Sequence, residues 1–156
     1  MAVAPTVSQY LDSHHIDYDI VQHPRSVSAA RIAAAAHVPG DRLAKSVLMG
    51  DDEGYIIAVV PSTHRVDLSR VHKETRRMLG LAVERDVADL FRDCDPGAIP
   101  PLGAAYGVKT LVDDRLINEP EVYFEAGDHE ELIHVSRSQF NEIMAGAEHG
   151  IISYHT

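Results

Sequence analysis

Several features are scarce in this sequence, and each scarcity narrows the class of protein. There is one cysteine, Cys94, which excludes an intramolecular disulfide and favours a reducing, cytoplasmic setting. No apolar run approaches the roughly 18 residues needed to cross a membrane. The first residues lack the basic and apolar regions of a signal peptide. We therefore expect a cytoplasmic protein that does not associate with membranes.

Positive charge is also scarce. The chain has 14 Lys and Arg residues against 24 Asp and Glu, which gives a net charge of -10. Proteins that coat DNA or RNA neutralise phosphates with clustered basic residues, so this composition excludes that class. It does not exclude a grip on one single-stranded end, which needs only a few cations in a pocket. Such binding should be weak and sensitive to salt unless a partner protein helps.

The remaining composition is that of a globular protein. The chain has 156 residues, 45% of them hydrophobic and 24% charged, which predicts one domain over residues 1–156 with a real core. There is no repeat and no linker-like tract. Neither a G-x-G-x-x-G motif after a strand nor a P-loop is present, so a doubly wound nucleotide-binding fold fits poorly.

Local patterns alternate between helix and strand. Helices are predicted over Val7–His14, Ser28–Ala36 with Ser28 as N-cap, Asp67–Leu79 with Asp67 as N-cap, Asp86–Phe91, and from a Ser136/Gln139 capping box to Met144. Strands are predicted over Tyr18–Gln22, Leu43–Met49, Tyr55–Val60, Leu81–Val83, Val108–Val112, Val122–Glu125 and Leu132–Val135. The tail from Gly146 has no clear pattern. Hairpins mixed with separate helices predict a mixed α/β or α+β domain with one central sheet.

Lys45 is the first candidate for chemistry, because it interrupts the apolar strand Leu43–Met49. Lysine is rarely buried without a partner. One interpretation is an edge-strand lysine, or one whose stem lies on apolar surface while its ammonium reaches water. The other is a cation at a pocket mouth that meets a phosphate or a developing oxyanion. The strand pattern alone favours the first.

The second candidate is the loop from Cys94 to Gly103, which contains three prolines and two glycines. These residues fix an irregular backbone that can present its N–H and C=O groups to a ligand. A rigid connector has the same composition and is the more common case.

Other polar residues give weaker signals. The 10 histidines show neither the H-E-x-x-H pattern nor an accompanying Cys-x-x-Cys, so we expect no metal and no other cofactor. His134, in a predicted strand, is either a satisfied sheet histidine or a polar group of a pocket. Cys94 could act as a nucleophile with His134 as its base, but the sequence around it lacks any recognisable cysteine-hydrolase signature. The acidic pairs Asp51-Asp52 and Asp113-Asp114 fall in predicted turns and are interpreted as solvated.

Taken together, these segments resemble the YbaK/ProX family of aminoacyl-tRNA deacylases, a domain that also occurs as an editing insertion in many bacterial prolyl-tRNA synthetases. The resemblance runs from about His23 to Phe140. It rests on His23-Pro24 and the helix that follows, on residues 43–48 with Lys45, on residues 59–68, on the G-x-x-x-P loop Gly97-Ala98-Ile99-Pro100-Pro101-Leu102-Gly103, and on residues 123–129.

The resemblance implies a mixed, partly barrel-like sheet surrounded by helices. It also implies hydrolysis of the ester between an amino acid and the terminal ribose of tRNA, assisted by a hydroxyl of the substrate. By that resemblance Lys45 is the residue needed for activity. Gly97, Ala98, Ile99, Pro100, Pro101 and Gly103 would shape the aminoacyl pocket, and His134 is a further candidate.

Some family members have glycine where this chain has Ala98, which leaves the amino-acid preference open. The implied partners are the 3′ end of aminoacyl-tRNA and a synthetase or elongation factor. Two alternatives remain: a module of the same fold that binds aminoacyl-tRNA or a synthetase without hydrolysis, and a hydrolase of another aminoacyl ester.

Overall fold

A computed structural model describes residues 3–25 and 29–156. Its helices are α1 (Pro5–Ser13), α2 (Ala29–Ala35), α3 (Leu68–Thr75), α4 (Glu84–Leu90), α5 (Asp114–Ile117) and α6 (Arg137–Ile143). Its strands are β1 (Asp19–Gln22), β2 (Leu43–Asp51), β3 (Gly54–Pro61), β4 (His64–Val66), β5 (Gly80–Leu81), β6 (Lys109–Asp113), β7 (Glu121–Glu125), β8 (Glu131–Ser136), β9 (Glu148–Gly150) and β10 (Ser153–His155). The predicted cap at Ser28 lies outside the described residues.

The strands form one large mixed sheet and one small sheet. The large sheet has the order β1-β8-β7-β2-β3-β6-β9, and β5 adds to β2. Strand β2 pairs antiparallel with β3 but parallel with β7, and β6 pairs parallel with both β3 and β9. Strands β4 and β10 form the small antiparallel sheet. The predicted fold class, a mixed α+β domain with a central sheet and surrounding helices, is confirmed.

Strand β3 explains why the sequence contains a continuous apolar run. Ile57 and Val59 face the main core with Phe124 and Phe140, whereas Ile56 and Val60 face a second core on the other side of the sheet. A strand covered on both faces needs apolar residues at every position. The predicted hairpin of β2 and β3 is present, with Lys45 opposite Val60.

Helix α3 begins as predicted but ends early. The Asp67 side chain accepts a hydrogen bond from the Arg70 N–H, which is the expected N-cap. The helix ends at Thr75 rather than Leu79, because Arg76 takes the left-handed conformation with φ 57°. The next residue, Arg77, then reaches Asp51, with Nη2 and Oδ1 2.6 Å apart. A side-chain ion pair with the hairpin therefore replaces the last predicted turn.

The two halves of the predicted capping box at α6 have different outcomes. Ser136 Oγ accepts a hydrogen bond from the Gln139 N–H at 3.2 Å. The Gln139 side-chain oxygen is buried without a partner, so the reciprocal half of the box does not form.

The tail after Gly146 is ordered into strands β9 and β10, although its sequence shows no strand pattern. Its anchor is Asp113, which was interpreted as a solvated turn residue. That interpretation is wrong, because Asp113 is fully buried. Its carboxylate accepts hydrogen bonds from Ser153 Oγ at 2.6 Å and from the Ile152 N–H at 3.1 Å. The tail therefore satisfies a buried charge and covers the second core.

Candidate active site

A small pocket opens where β2 and β7 separate. The parallel pairing between these strands covers only Leu43 with Tyr123 and Ala44 with Phe124. Lys45 and Ser46 on β2, and Glu125 on β7, follow directly after the paired residues. The pocket between them has a volume of about 40 Å³. It is lined by Ile32, Leu43, Ala44, Lys45, Ser46, Gly97, Ile99 and Glu125.

Lys45 is held at this pocket by the main chain of β4. Its Nζ donates a hydrogen bond to the carbonyl oxygen of His64 at 2.6 Å. Partial burial lowers the pKa of Lys45, and the positive charge of Arg65 lowers it further. The lysine is therefore a half-buried cation with a fixed position. The edge-lysine interpretation does not describe it, because β2 lies inside the sheet between β3 and β7.

Part of the proline-rich loop meets Lys45. The loop docks on the turn between β7 and β8 through a hydrogen bond from the Asp95 N–H to the Gly127 carbonyl at 2.8 Å. A short 3-10 turn over Pro96–Ala98 then brings Gly97 and Ile99 to the pocket. The sequence separates Lys45 from this loop by about a third of the chain, and the fold brings them together.

The rest of the loop points elsewhere. Ala98 and Pro100 are buried, and Ala98 N–H donates to the Asp95 carbonyl at 2.9 Å. Pro101 and Gly103 line a different groove together with Tyr10 and Ile143. Only Gly97 and Ile99 of the predicted loop residues line the Lys45 pocket, so the roles of the other four remain predictions from the resemblance.

Glu125 is a residue of the pocket that the sequence analysis did not single out. Both of its carboxyl oxygens are buried, and neither has a hydrogen-bond partner in the part of the chain that the structure describes. Burial raises its pKa to about 8, and the nearby Asp128 and Asp95 add to that effect. Glu125 is a charged residue in the otherwise apolar segment Tyr123–Ala126, as Lys45 is in its own strand. The same sequence pattern therefore could have identified it.

His129 stands behind Glu125 and Gly97. Its Nδ1 lies 3.3 Å from Glu125 Oε2, but the geometry is not that of a hydrogen bond. A Cβ added at Gly97 would lie 3.0 Å from the His129 Cε1. This close approach explains a glycine at position 97, and it packs the loop against the β7–β8 turn. The sequence gives no sign that His129 meets Gly97.

His134 lies in another pocket, lined also by Asp17, Asp19 and Glu121. Its Nε2 is 2.6 Å from Glu121 Oε1 and its Nδ1 is 3.2 Å from Asp19 Oδ2. The ring also stacks on Tyr123. The structure thus gives His134 a satisfied position in the sheet, and it does not bring His134 to Lys45.

Cys94 has its own partners. Its Sγ lies 3.3 Å from the Tyr106 hydroxyl, and burial raises the pKa of the thiol to about 11. At neutral pH it is protonated, and no hydrogen bond of the described residues joins it to His134. Among those residues, no group of three His, Cys, Asp or Glu side chains could hold a metal ion.

The fold and this pocket define a small α+β domain with a cation, a buried acid and a rigid loop around space for a small group. A sequence model of the aminoacyl-tRNA editing domain matches residues 23–143, so the chain belongs to that family. The predicted resemblance is confirmed. Comparison with curated protein sequences finds no match.

Solved structures share the fold over nearly the whole chain. A "putative trans-editing enzyme for prolyl tRNA synthetase" superposes with a TM-score of 0.83 at 21% identity, covering 98% of this chain and 99% of that one. The "hypothetical protein APE2540" gives a TM-score of 0.84 at 20% identity, with 96% and 99% covered. A "putative signal transduction protein" from Marinobacter aquaeolei VT8 gives 0.75 at 23% identity, but only 30% of that chain is covered.

No helix in the described ranges is both long enough and apolar enough to cross a membrane.

Proposed function

We propose that this protein is a trans-editing hydrolase that removes a small amino acid from mischarged tRNA, including the proline tRNA. Residues 1–156 would form one editing domain, acting in the cytoplasm where tRNA is charged. The observation that carries the proposal is the meeting of Lys45 with Gly97 and Ile99 in one small pocket. These residues come from two of the segments that carry the resemblance to the family.

The arrangement suits ester hydrolysis without a side-chain nucleophile. Water adds to the ester carbonyl carbon, the bond to the ribose oxygen breaks, and the ribose hydroxyl regains a proton. The ammonium of Lys45 would orient the terminal nucleotide or stabilise the negative charge that develops on the carbonyl oxygen. Since its position is already fixed by the His64 carbonyl, little reorganisation is needed.

The volume of the pocket supports a small amino acid. A volume of about 40 Å³ suits a small side chain rather than a large one. A pocket of this kind discriminates one methylene by about 1–3 kcal/mol. Alanine, serine, cysteine and threonine esters are therefore the substrates to compare.

The net charge of -10 limits the affinity for tRNA. Positive groups near the pocket include Lys45, the exposed Arg65 on β4, and the exposed Arg25, which pairs with Asp95 at 3.2 Å. They suit a single-stranded end and little more. We propose that a synthetase or elongation factor supplies further basic surface, which predicts that its addition lowers KM and weakens the salt dependence.

A panel of tRNAs charged with alanine, serine, cysteine, threonine and proline tests this function. We expect release of one of the four small amino acids at low salt, while prolyl-tRNA that is correctly charged stays intact. Binding to all of these tRNAs without release from any, by folded protein with or without a synthetase, would favour the binding module. Hydrolysis of simple aminoacyl esters but not of aminoacyl-tRNA would favour the hydrolase of another aminoacyl ester.

A further inference from the structure

Glu125 is a buried carboxyl group in the Lys45 pocket that has no hydrogen-bond donor. Neither oxygen has a partner among the described residues, and the side chain is 11% exposed. The charged groups around it within the described ranges do not supply one. Lys45, which lines the same pocket, donates to the His64 carbonyl. Asp128 and Asp95 are negative, His129 lies close without hydrogen-bond geometry, and the Arg25 guanidinium is occupied by Asp95 and the Asp128 carbonyl.

An unpartnered buried carboxyl is costly, and it is far more costly when ionised. With a pKa near 8, Glu125 is mainly protonated at neutral pH in the empty pocket. The carboxyl group ionises readily only when a cation or a strong hydrogen-bond donor enters the pocket. The neighbouring Ser46 hydroxyl is also buried without a partner and lines the same pocket. Two unsatisfied polar groups on adjoining strands indicate a ligand with more than one N–H donor.

The substrate class of the proposed function carries such a group. An aminoacyl ester has an α-ammonium group on the carbon next to the scissile carbonyl. The carbonyl oxygen gains negative charge in the reaction whereas the ammonium is positive, so the two groups need pocket walls of opposite charge. Lys45 faces developing negative charge, and Glu125 on the opposing strand is the complementary acid.

We infer that Glu125, assisted by Ser46, binds the free α-ammonium group of the aminoacyl ester, so that the site accepts aminoacyl-tRNA and rejects N-acylated or peptidyl-tRNA. This inference rests on the proposed function. Ionisation of Glu125 against the ammonium expels its proton, so binding at neutral pH releases about one proton per site, since the ammonium keeps its own. The rejection of blocked substrates follows because an amide leaves the carboxyl buried without a charge partner.

The test compares the Glu125→Gln variant with wild type on alanyl-tRNA and on N-acetyl-alanyl-tRNA, or on the corresponding pair for whichever amino acid wild type releases. Glutamine keeps the shape but cannot ionise. Loss of a charge-assisted hydrogen bond predicts a fall of roughly 10- to 100-fold in kcat/KM for the free amine. The blocked substrate should react slowly with wild type and no more slowly with the variant. Glu142→Gln, which changes an exposed acid on α6, is the matched control.

Other outcomes have distinct meanings. An equal loss on both substrates would overturn the inference and make Glu125 a general base for the attacking water. Unchanged activity of the variant on alanyl-tRNA would also overturn it. If wild type releases no amino acid at all, the proposed function itself fails.

A binding measurement provides a second test that does not depend on turnover, and its wild-type result does not depend on the folding of the variant. A non-hydrolysable amide-linked analogue, 3′-alanylamino-adenosine, is titrated by calorimetry in two buffers of different ionisation enthalpy. We expect wild type to release about one proton near pH 7 and Glu125→Gln to release none. Binding by wild type without proton release would contradict the inference.

Discussion

The ammonium of Lys45 is held by the main-chain carbonyl of His64, with 2.6 Å between Nζ and the oxygen. This carbonyl lies on β4, whose only partner strand among the described residues is β10. His64 Nδ1 is 3.1 Å from Ser153 Oγ, and that hydroxyl donates to the buried Asp113. The end of the chain therefore contributes to the position of the pocket lysine.

Replacing Ser153 with alanine tests this link. The change leaves a buried carboxylate with one donor fewer, so we expect the free energy of unfolding to fall by about 1–3 kcal/mol. Deacylation should also slow, because the His64 carbonyl loses support. Urea unfolding and single-turnover rates measure the two effects. Ser138→Ala, at an exposed position of α6, should change neither quantity. Wild-type stability of Ser153→Ala would contradict the proposed contribution of Ser153 to the site.

Cys94→Ala should have nearly normal activity. Burial raises the pKa of the thiol to about 11, so the thiolate is scarce at neutral pH, and the side chain packs beside Tyr106 rather than in the pocket. Steady-state kinetics of the purified variant measure this. A complete loss of turnover with folded protein would restore the cysteine nucleophile.

Gly97→Ala should impair activity more than stability. The added methyl would lie 3.0 Å from His129 Cε1 and 3.3 Å from its Nε2, so the ring and the pocket wall must shift by a few tenths of an ångström. Displacements at a site of this kind lower rates by roughly 10-fold or more. Gly146→Ala is the control, because an added Cβ there meets nothing within 4 Å. Equal rates for the two variants would show that the loop contact is unimportant.

Much of the pocket is visible in the sequence because its signals are local. A lysine in an apolar strand and a loop dense in proline and glycine each stand out within a few residues. The same holds for the β2–β3 hairpin and the Asp67 cap. The sequence also contains the acid at 125 in an apolar strand, but its importance emerges only when the parallel pairing of β2 and β7 places it beside Lys45.

Contacts between distant segments account for what the sequence does not predict. The end of α3 depends on an ion pair between Arg77 and Asp51. Strands β9 and β10 form because Asp113, 40 residues before Ser153, is buried and needs donors. The sequence allows His134 to be either a satisfied sheet histidine or a pocket group, and its partners Glu121 and Asp19 on neighbouring strands favour the first. The hydrophobic periodicity of the sequence does not predict these long-range contacts.

Glu125 should also make stability depend on pH. Its pKa is about 8 in the folded protein against an ordinary value of 4.5. The folded state therefore binds more protons than the unfolded state between these pH values, so this group lowers stability as pH rises from about 4.5 to 8. Glu125→Gln should remove that component, and its advantage over wild type should grow to a few kcal/mol by pH 8. Thermal unfolding from pH 5 to 8 measures this, and parallel curves would contradict it.

The central claim is that Lys45 acts in deacylation, and single-turnover hydrolysis of the preferred mischarged tRNA by Lys45→Ala tests it most directly. Circular dichroism should show a folded variant, and Lys73→Ala, at an exposed lysine on α3, is the matched control. We expect Lys73→Ala to behave as wild type and Lys45→Ala to lose at least about 100-fold in rate, the scale of one electrostatic group at a developing oxyanion. Wild-type-like turnover by folded Lys45→Ala would contradict the account.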